Sequence, residues 1–259
     1  MKIKFITLNL FKGGLYYENI KAFLTKENPD ILCLQEAYNS KDKTLTKNYR
    51  SIDNLKELLP NHYYHFSPEL LENSKNKKTD IGNAIFSRFP IIHAQTTFYD
   101  IQYGKYDEYL KNDNKYDFSL QPKNLEYANI QTHGISLNVF NTHGIWEKHG
   151  NDTKRRLQMG EIIINQIKDK KNVILAGDFN LFPNTQTVKN IEKYLKSVFS
   201  NELKTTFNLR LKPHPGNYGN SVVDMIFVSK EVKIIEKYCP NIDVSDHFPL
   251  VSVFEIKAD

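Results

Sequence analysis

Residues 172–180 read NVILAGDFN. Positions 173 to 176 are apolar without interruption. A strand with one wet face would alternate, and a helix needs a longer run, so VILA reads as a short strand covered on both sides. Asp178 and Asn180 then end it, although both types are poor strand formers. A carboxylate set against an apolar run costs free energy unless something pairs with it or is held by it. DILCLQE, residues 30–36, repeats the design and ends at Glu36. Strands buried on both faces belong to layered α/β domains, where chemistry gathers at the strand ends.

The rest of the chain fits that frame. KIKFITLNL alternates as a strand and is broken by Gly13 and Gly14. YYENIKAFLTKEN has helical spacing and stops before Pro29. SIDNLKELL predicts a second helix with Ser51 as its N-cap. HYYHF, GNAIFSRFPI and HAQTTFYDI predict three strands. LEYANIQTHG and ISLNVFNTHG predict a hairpin around Gly134. TKRRLQMGEIIINQIKD and NTQTVKNIEKYLKSVF predict helices, and SVVDMIFVS, VKIIEKYC and LVSVFEI predict the last strands. Residues 99–124, rich in Tyr, Asp, Lys and Asn, read as a long loop whose tyrosines suit stacking on bases or sugars. No repeat, linker or composition break appears, so one domain over 1–259 is expected.

Bulk composition narrows the class. The 259 residues carry a net charge of +5, compatible with a polyanionic partner without demanding one. The lysines are spread among many asparagines instead of forming a patch. Cys33 and Cys239 are the only cysteines, too few for a disulfide framework or a zinc cluster. No run approaches the ~20 apolar residues of a membrane span. The N-terminus alternates lysine with apolar residues, unlike a signal peptide. A cytoplasmic monomer is the expectation.

Six strand patterns end in polar residues: Asn9, Glu36, Asn141 with His143, Asp178 with Asn180, Asp224, and Asp246 with His247. Together they offer what a hard cation and a phosphate require. Mg²⁺, or Mn²⁺ in its place, takes oxygen ligands, and Glu36, Asp246 and the amide of Asn9 would supply them. Asp178 suits a general base for an attacking water. Asn180, His143 and His247 suit donors to the charged phosphoryl oxygens. Asp224 is available to orient His247. Ser-Asp-His at 245–247 is also what a capped turn uses.

The ordered set TLNL, LQEA, GNAIFSRFPI, NTHG, GDFN, VDMIFVS and SDHFPLV, spanning residues 7–251, resembles the endonuclease/exonuclease/phosphatase superfamily. The resemblance implies a four-layer α/β/β/α sandwich of two mostly antiparallel sheets flanked by helices. It implies a metal-dependent hydrolase of phosphoester bonds. The first expectation is a Mg²⁺-dependent phosphodiesterase or nuclease; the alternative is a phosphatase or sphingomyelinase-like enzyme on a small molecule or lipid head group. By position it implies that Glu36 is the principal metal ligand with Asn9 beside it, and Asp246 a second acidic position near the metal. It implies that Asp178, Asn180, His143, His247 and Asp224 are catalytic. Asn83 at the cleft rim and Asn141 are the expected substrate contacts. Two features depart from the pattern. Phe11 stands where many nucleases of the family have an acid. NTHG replaces the tyrosine-containing motif of AP endonucleases, which argues against that branch. His149 and His214 lie in predicted loops within reach of substrate. Arg155 and Gln158 share a helix face and read as packing or solvated residues, as does Trp146.

Overall fold

A computed structural model describes residues 1–74, 77–106, 118–147, 149–213 and 216–257. His214 and the middle of the predicted 99–124 loop lie outside them. Two sheets face each other. The first runs β12 (Val232–Tyr238), β13 (Leu250–Ile256), β1 (Lys2–Asn9), β2 (Ile31–Asn39), β4 (Lys77–Ser87), β3 (Tyr63–Ser74), β6 (Gly104–Tyr106). The second runs β10 (Lys196–Ser197), β11 (Asp224–Val228), β9 (Val173–Asp178), β8 (Ile135–His143), β7 (Asn124–Thr132), β5 (Ile91–Phe98). Most neighbours are antiparallel. Two of the parallel pairs, β1–β2 and β8–β9, are each joined by a helical crossover, α1 (Tyr17–Glu27) and α3 (Lys154–Ile167).

The core has three apolar layers. Ile3, Phe5, Cys33, Val139, Ile174 and Phe254 fill the space between the sheets. Outside the second sheet, Met159 and Ile163 of α3 and Val188 of α4 (Gln186–Ile191) cover Leu175 and Phe227. Outside the first, Ile20 and Phe23 of α1 and Ile52 and Leu55 of α2 (Ser51–Leu58) cover Leu32 and Phe86. The four-layer α/β/β/α arrangement expected from the sequence is what forms.

Some elements differ from their sequence reading. The helix predicted over 184–199 ends at Ile191, and Lys196–Ser197 pairs with β11 instead. Leu195, Val198 and Phe199 are buried there, so covering the sheet edge outweighs helix propensity. Ser51 does not cap α2; its hydroxyl is hydrogen-bonded to both the N–H and the carbonyl of Tyr38. The 99–124 segment is not all loop, since Gly104–Tyr106 adds a short parallel strand beside β3. Cys33 is buried, and desolvation pushes its thiol well up. No helix among the described residues is long and apolar enough to cross a membrane.

Candidate active site

Strand register assembles one wall of the site. His143, Asp178 and Asp224 end or begin three adjacent strands and are direct partners, His143 with Asp178 and Asp178 with Asp224. Residues opposite one another on neighbouring strands point to the same face. Gly177 makes the close approach of β8 and β9 possible. Its φ is +139°, and a Cβ there would lie 2.0 Å from the Thr142 carbonyl oxygen.

The opposite wall comes from the first sheet and depends on two β-bulges. In β2 the register against β4 shifts between Leu34 and Ala37, and Glu36 adopts φ 52°. In β3 it shifts between Pro68 and Leu70, so Glu69 is the extra residue. Gly82 of β4 borders both shifts, as the partner of Ala37 on one side and of Pro68 on the other. A Cβ on Gly82 would meet the Ser67 carbonyl oxygen at 2.1 Å, so only glycine lets β3 approach. Bulges re-aim side chains, and here they turn two carboxylates toward the site.

The expected residues converge. Asn9 Nδ2 donates to Asp178 Oδ2 at 3.1 Å and to Glu36 Oε1 at 3.4 Å, linking the two sheets. Glu36 Oε2 accepts from the Lys12 N–H at 2.7 Å. Burial alone would raise the Glu36 carboxyl; His143, the Lys12 N–H, Lys123 and Lys212 outweigh it and hold the group below its ordinary value. Asp178 Oδ1 accepts from the Asn180 N–H at 2.9 Å. The Asn180 side chain donates to the Gly144 carbonyl at 3.1 Å. His247 Nδ1 lies 2.8 Å from Asp224 Oδ2. Burial opposes the charge on His247, yet Asp224 first, then Asp178 and Asp246, push its pKa up to about 10. Burial in turn raises the Asp224 carboxyl despite His247. The Nε2 atoms of His143 and His247 stand 3.9 and 4.0 Å from the same atom, Asp178 Oδ2. Ser245 answers for its own place in SDH: its hydroxyl donates to the Asn9 carbonyl at 2.6 Å and accepts the His247 N–H at 3.2 Å.

Asp246 is buried, with Oδ2 held by Lys212 Nζ at 2.8 Å. Asn83 and Asn141 are 0% exposed and tie the sheets together instead of facing the cleft. Asn141 Nδ2 donates to the Leu34 and Ala84 carbonyls and to Glu126 Oε2, while Oδ1 accepts from Gln35 at 2.6 Å. Asn83 Nδ2 donates to Asn124 Oδ1 at 2.9 Å. Touching substrate would break these bonds. Arg155 pairs with Asp100 and Glu147, which fits its reading as a packing residue.

Sequence reasoning missed Glu69, Lys123, Lys212 and Arg156. Lys123 Nζ lies 3.0 Å from Glu69 and 2.9 Å from His143 Nδ1. Arg156 is 0% exposed and donates to the carbonyls of Ile145, Glu147, His149 and Asn151, pinning the loop that follows His143. None of the four ends an apolar run, which is the signal that marked the others.

Among the described residues, two places fit a divalent ion. Asp178, Asp224 and His247 put ligand atoms within 4.8 Å of one another. There, however, a metal would have to displace the proton that His247 directs at Asp224. Glu36 is partly exposed and held ionised, and it offers a hard oxygen with no such competition. Asn9 presents its NH₂ toward Glu36, and its Oδ1 accepts the Phe11 N–H at 3.0 Å, leaving one lone pair for a cation.

The sequence profile described as the Endonuclease/Exonuclease/phosphatase family matches residues 6–247. No curated protein matches the chain. The endonuclease/exonuclease/phosphatase from Bacteroides vulgatus superposes with a TM-score of 0.73 at 15% identity, covering 99% of this chain and 100% of that one. D. rerio TDP2 complexed with single strand DNA product gives 0.68 at 17%, covering 98% and 99%. The Bacteroides thetaiotaomicron mannosyl-6-phosphatase gives 0.67 at 20%, covering 99% and 100%.

Proposed function

Since this chain belongs to the endonuclease/exonuclease/phosphatase family of phosphoester hydrolases, we propose that it is a Mg²⁺-dependent phosphodiesterase acting on nucleic acid. One observation carries the reading: Asp178 is a carboxylate flanked at 3.9 and 4.0 Å by two histidine Nε2 atoms and bound by Asn9 and Asn180. That is a base for water surrounded by donors for phosphoryl oxygens.

Asp178 Oδ2 takes a proton from water as its oxygen attacks phosphorus, and the bond from phosphorus to the ester oxygen breaks, that oxygen leaving as an alcohol with a proton from solvent. His143, His247 and Asn180 donate to oxygens whose negative charge grows in the transition state, the kind of preorganised stabilisation that dominates many active sites. Asp224 keeps His247 charged and aimed. Glu36 and Asn9 would hold the Mg²⁺, which supplies positive charge to the phosphoryl group. Asp246, engaged by Lys212, serves as a neighbour to that position instead of a free ligand.

The net charge of +5 and the likeness to a TDP2 bound to a single strand DNA product favour a nucleic-acid substrate. The comparable likeness to a mannosyl-6-phosphatase favours a second reading, a phosphatase on a small phosphoester. The test is metal-dependent cleavage of DNA, single-stranded RNA and sugar phosphates, in Mg²⁺ against EDTA, with Asp178→Asn as control. Nucleic-acid cleavage that needs metal, weakens steeply with salt and drops about 10²–10⁴-fold in Asp178→Asn is the expected result. Turnover of sugar phosphates alone would favour the second reading. Unchanged activity in Asp178→Asn would remove the assigned base.

A further inference from the structure

Beside the expected metal ligands, a buried carboxylate is paired with a lysine. Asp246 is 1% exposed, and an ion is withdrawn from water this far only when something neutralises it. Its partner is Lys212, whose Nζ donates to Asp246 Oδ2 at 2.8 Å. The same Nζ lies 4.8 Å from the centroid of the Phe11 ring, within the range at which a cation is drawn to an aromatic face. An ammonium has three N–H donors. Asp246 takes one, and a ring face offers no oxygen or nitrogen to the others. They are left for oxygens of a ligand. Lys212 is also one of the charges that keep Glu36 ionised, so its field reaches the expected metal ligand as well.

Both supports of this ammonium are built into the backbone. Asn208 is 0% exposed. Its N–H donates to the Asp246 carbonyl at 2.7 Å, and its side chain donates to Asp243 Oδ1 at 2.9 Å and to the Ser245 carbonyl at 3.2 Å. The Asn208 carbonyl accepts from the Leu211 N–H at 3.1 Å and from the Lys212 N–H at 3.4 Å. One buried asparagine thus ties the turn that carries the lysine to the segment that carries the aspartate. Phe11 has φ 55°, a region that bulky residues avoid. Glu36 holds the turn there: its Oε2 accepts from the Lys12 N–H at 2.7 Å and its carbonyl from the Gly13 N–H at 3.0 Å. Strain of this kind persists only where the surroundings enforce it, and it gathers at ligand sites.

We propose that Lys212 is a substrate-binding residue: its ammonium, held by Asp246 over the Phe11 ring, donates to a phosphoryl oxygen and supplies a fixed positive charge on the Glu36 side of the cleft, so that Asp246 anchors a lysine instead of a second divalent ion. The inference rests on the phosphoester-hydrolase reading. Charge that builds on phosphoryl oxygens can be offset by two metal ions, or by one ion and a fixed cation. Here the carboxylate that a further ion would need is already neutralised by Lys212, and the neighbouring Phe11 side chain has no oxygen to offer. Lysine binds phosphate as a point charge, and unlike an ion it stays in place when metal is scarce.

The first test needs neither metal nor turnover. Inorganic phosphate is titrated into the ¹⁵N-labelled full chain in EDTA and followed by NMR shifts. Its Kd should rise at least ~10-fold in Lys212→Met, which removes the charge at similar length, as when one charge-assisted hydrogen bond is lost. Lys212→Arg should recover most of that loss. A folded Lys212→Met chain that binds phosphate as tightly as the unaltered one overturns the proposal, and so does an unaltered chain that binds none. The second test counts ions by Mn²⁺ electron paramagnetic resonance. One bound ion per unaltered chain is expected, with a second in Lys212→Met that disappears again in Lys212→Met/Asp246→Asn. Two ions in the unaltered chain overturn the proposal, and that count depends on no variant folding. A single ion in a folded Lys212→Met chain overturns it too. Phosphoester cleavage with the same kcat and KM in Lys212→Met sinks the assignment of Lys212 and leaves the hydrolase reading intact. If no phosphoester is cleaved while phosphate binding behaves as expected, that reading fails and the assignment of Lys212 stands.

Discussion

At the scale of single residues, the site works through partners. Asp224 is the main cause of the high pKa of His247, since burial alone would lower it. Asp224→Asn should therefore bring His247 from about 10 down to the ordinary 6.5 or below, followed by NMR titration of the ring in EDTA. A His247 that still titrates near 10 would show that Asp178 and Asp246 suffice. Glu36→Gln keeps the shape of the side chain and loses its charge; Mn²⁺ affinity, followed by electron paramagnetic resonance, should fall at least ~10-fold. The sequence made Asp178, Asp224, His247 and Glu36 visible for one physical reason. Each follows or precedes an apolar run in which a charged group has no business unless it is used. Glu69 and Lys123 give no such sign. Glu69 sits in SPELLEN, among other polar residues, and Lys123 is one lysine among many. Only the fold shows that both are withdrawn from water. Asn83 and Asn141 are the reverse case: polar residues at apparent site positions that are consumed in joining the sheets.

At the scale of elements, register and bulges decide where the carboxylates point. Gly82 of β4 pairs with Ala37 and with Pro68, the residues that border the two bulges. Gly82→Ala would drive a methyl group against the Ser67 carbonyl, with a cost of about 1–3 kcal/mol for overpacking. Because Gly82 borders both bulges, Glu36 and Glu69 should move together. Metal affinity and the NMR shifts of the His143 ring, which Glu69 Oε2 approaches to 3.4 Å, should then change in one variant, beside a lower melting temperature. A chain that loses stability while keeping both would refute the coupling. The strands were legible because buried strands read as unbroken apolar runs, and α1 and α3 because their periodicity is long. The bulges were not, since one extra residue in a strand leaves the composition unchanged. The helix expected over 184–199 failed for a related reason. Its apolar spacing suits a helix, but Leu195, Val198 and Phe199 are needed at the sheet edge.

At the scale of the whole molecule, the site exists only where two sheets meet. Asn9 and Glu36 come from one sheet, and His143, Asp178 and Asp224 from the other. An ion that binds only the assembled pair should stabilise it by mass action, about 2.7 kcal/mol at a hundred times its Kd. The melting temperature should then rise on the order of 5–10 °C on adding Mg²⁺. No rise in the unaltered chain would count against a built metal site; a rise lost in Glu36→Gln would place it. The sheet order holds a further consequence. β1 lies between β2 and β13, and its Lys2–Thr7 segment pairs with Glu255–Leu250. Asp246 and His247 immediately precede β13. During synthesis, the first strand therefore keeps one edge open until β13 has left the ribosome. The imidazolium of the site arrives with that strand. On the proposed reading, a nascent chain that already holds Asp178 and Glu36 cannot cut a phosphoester on the transcript or on the ribosome until His247 has joined them.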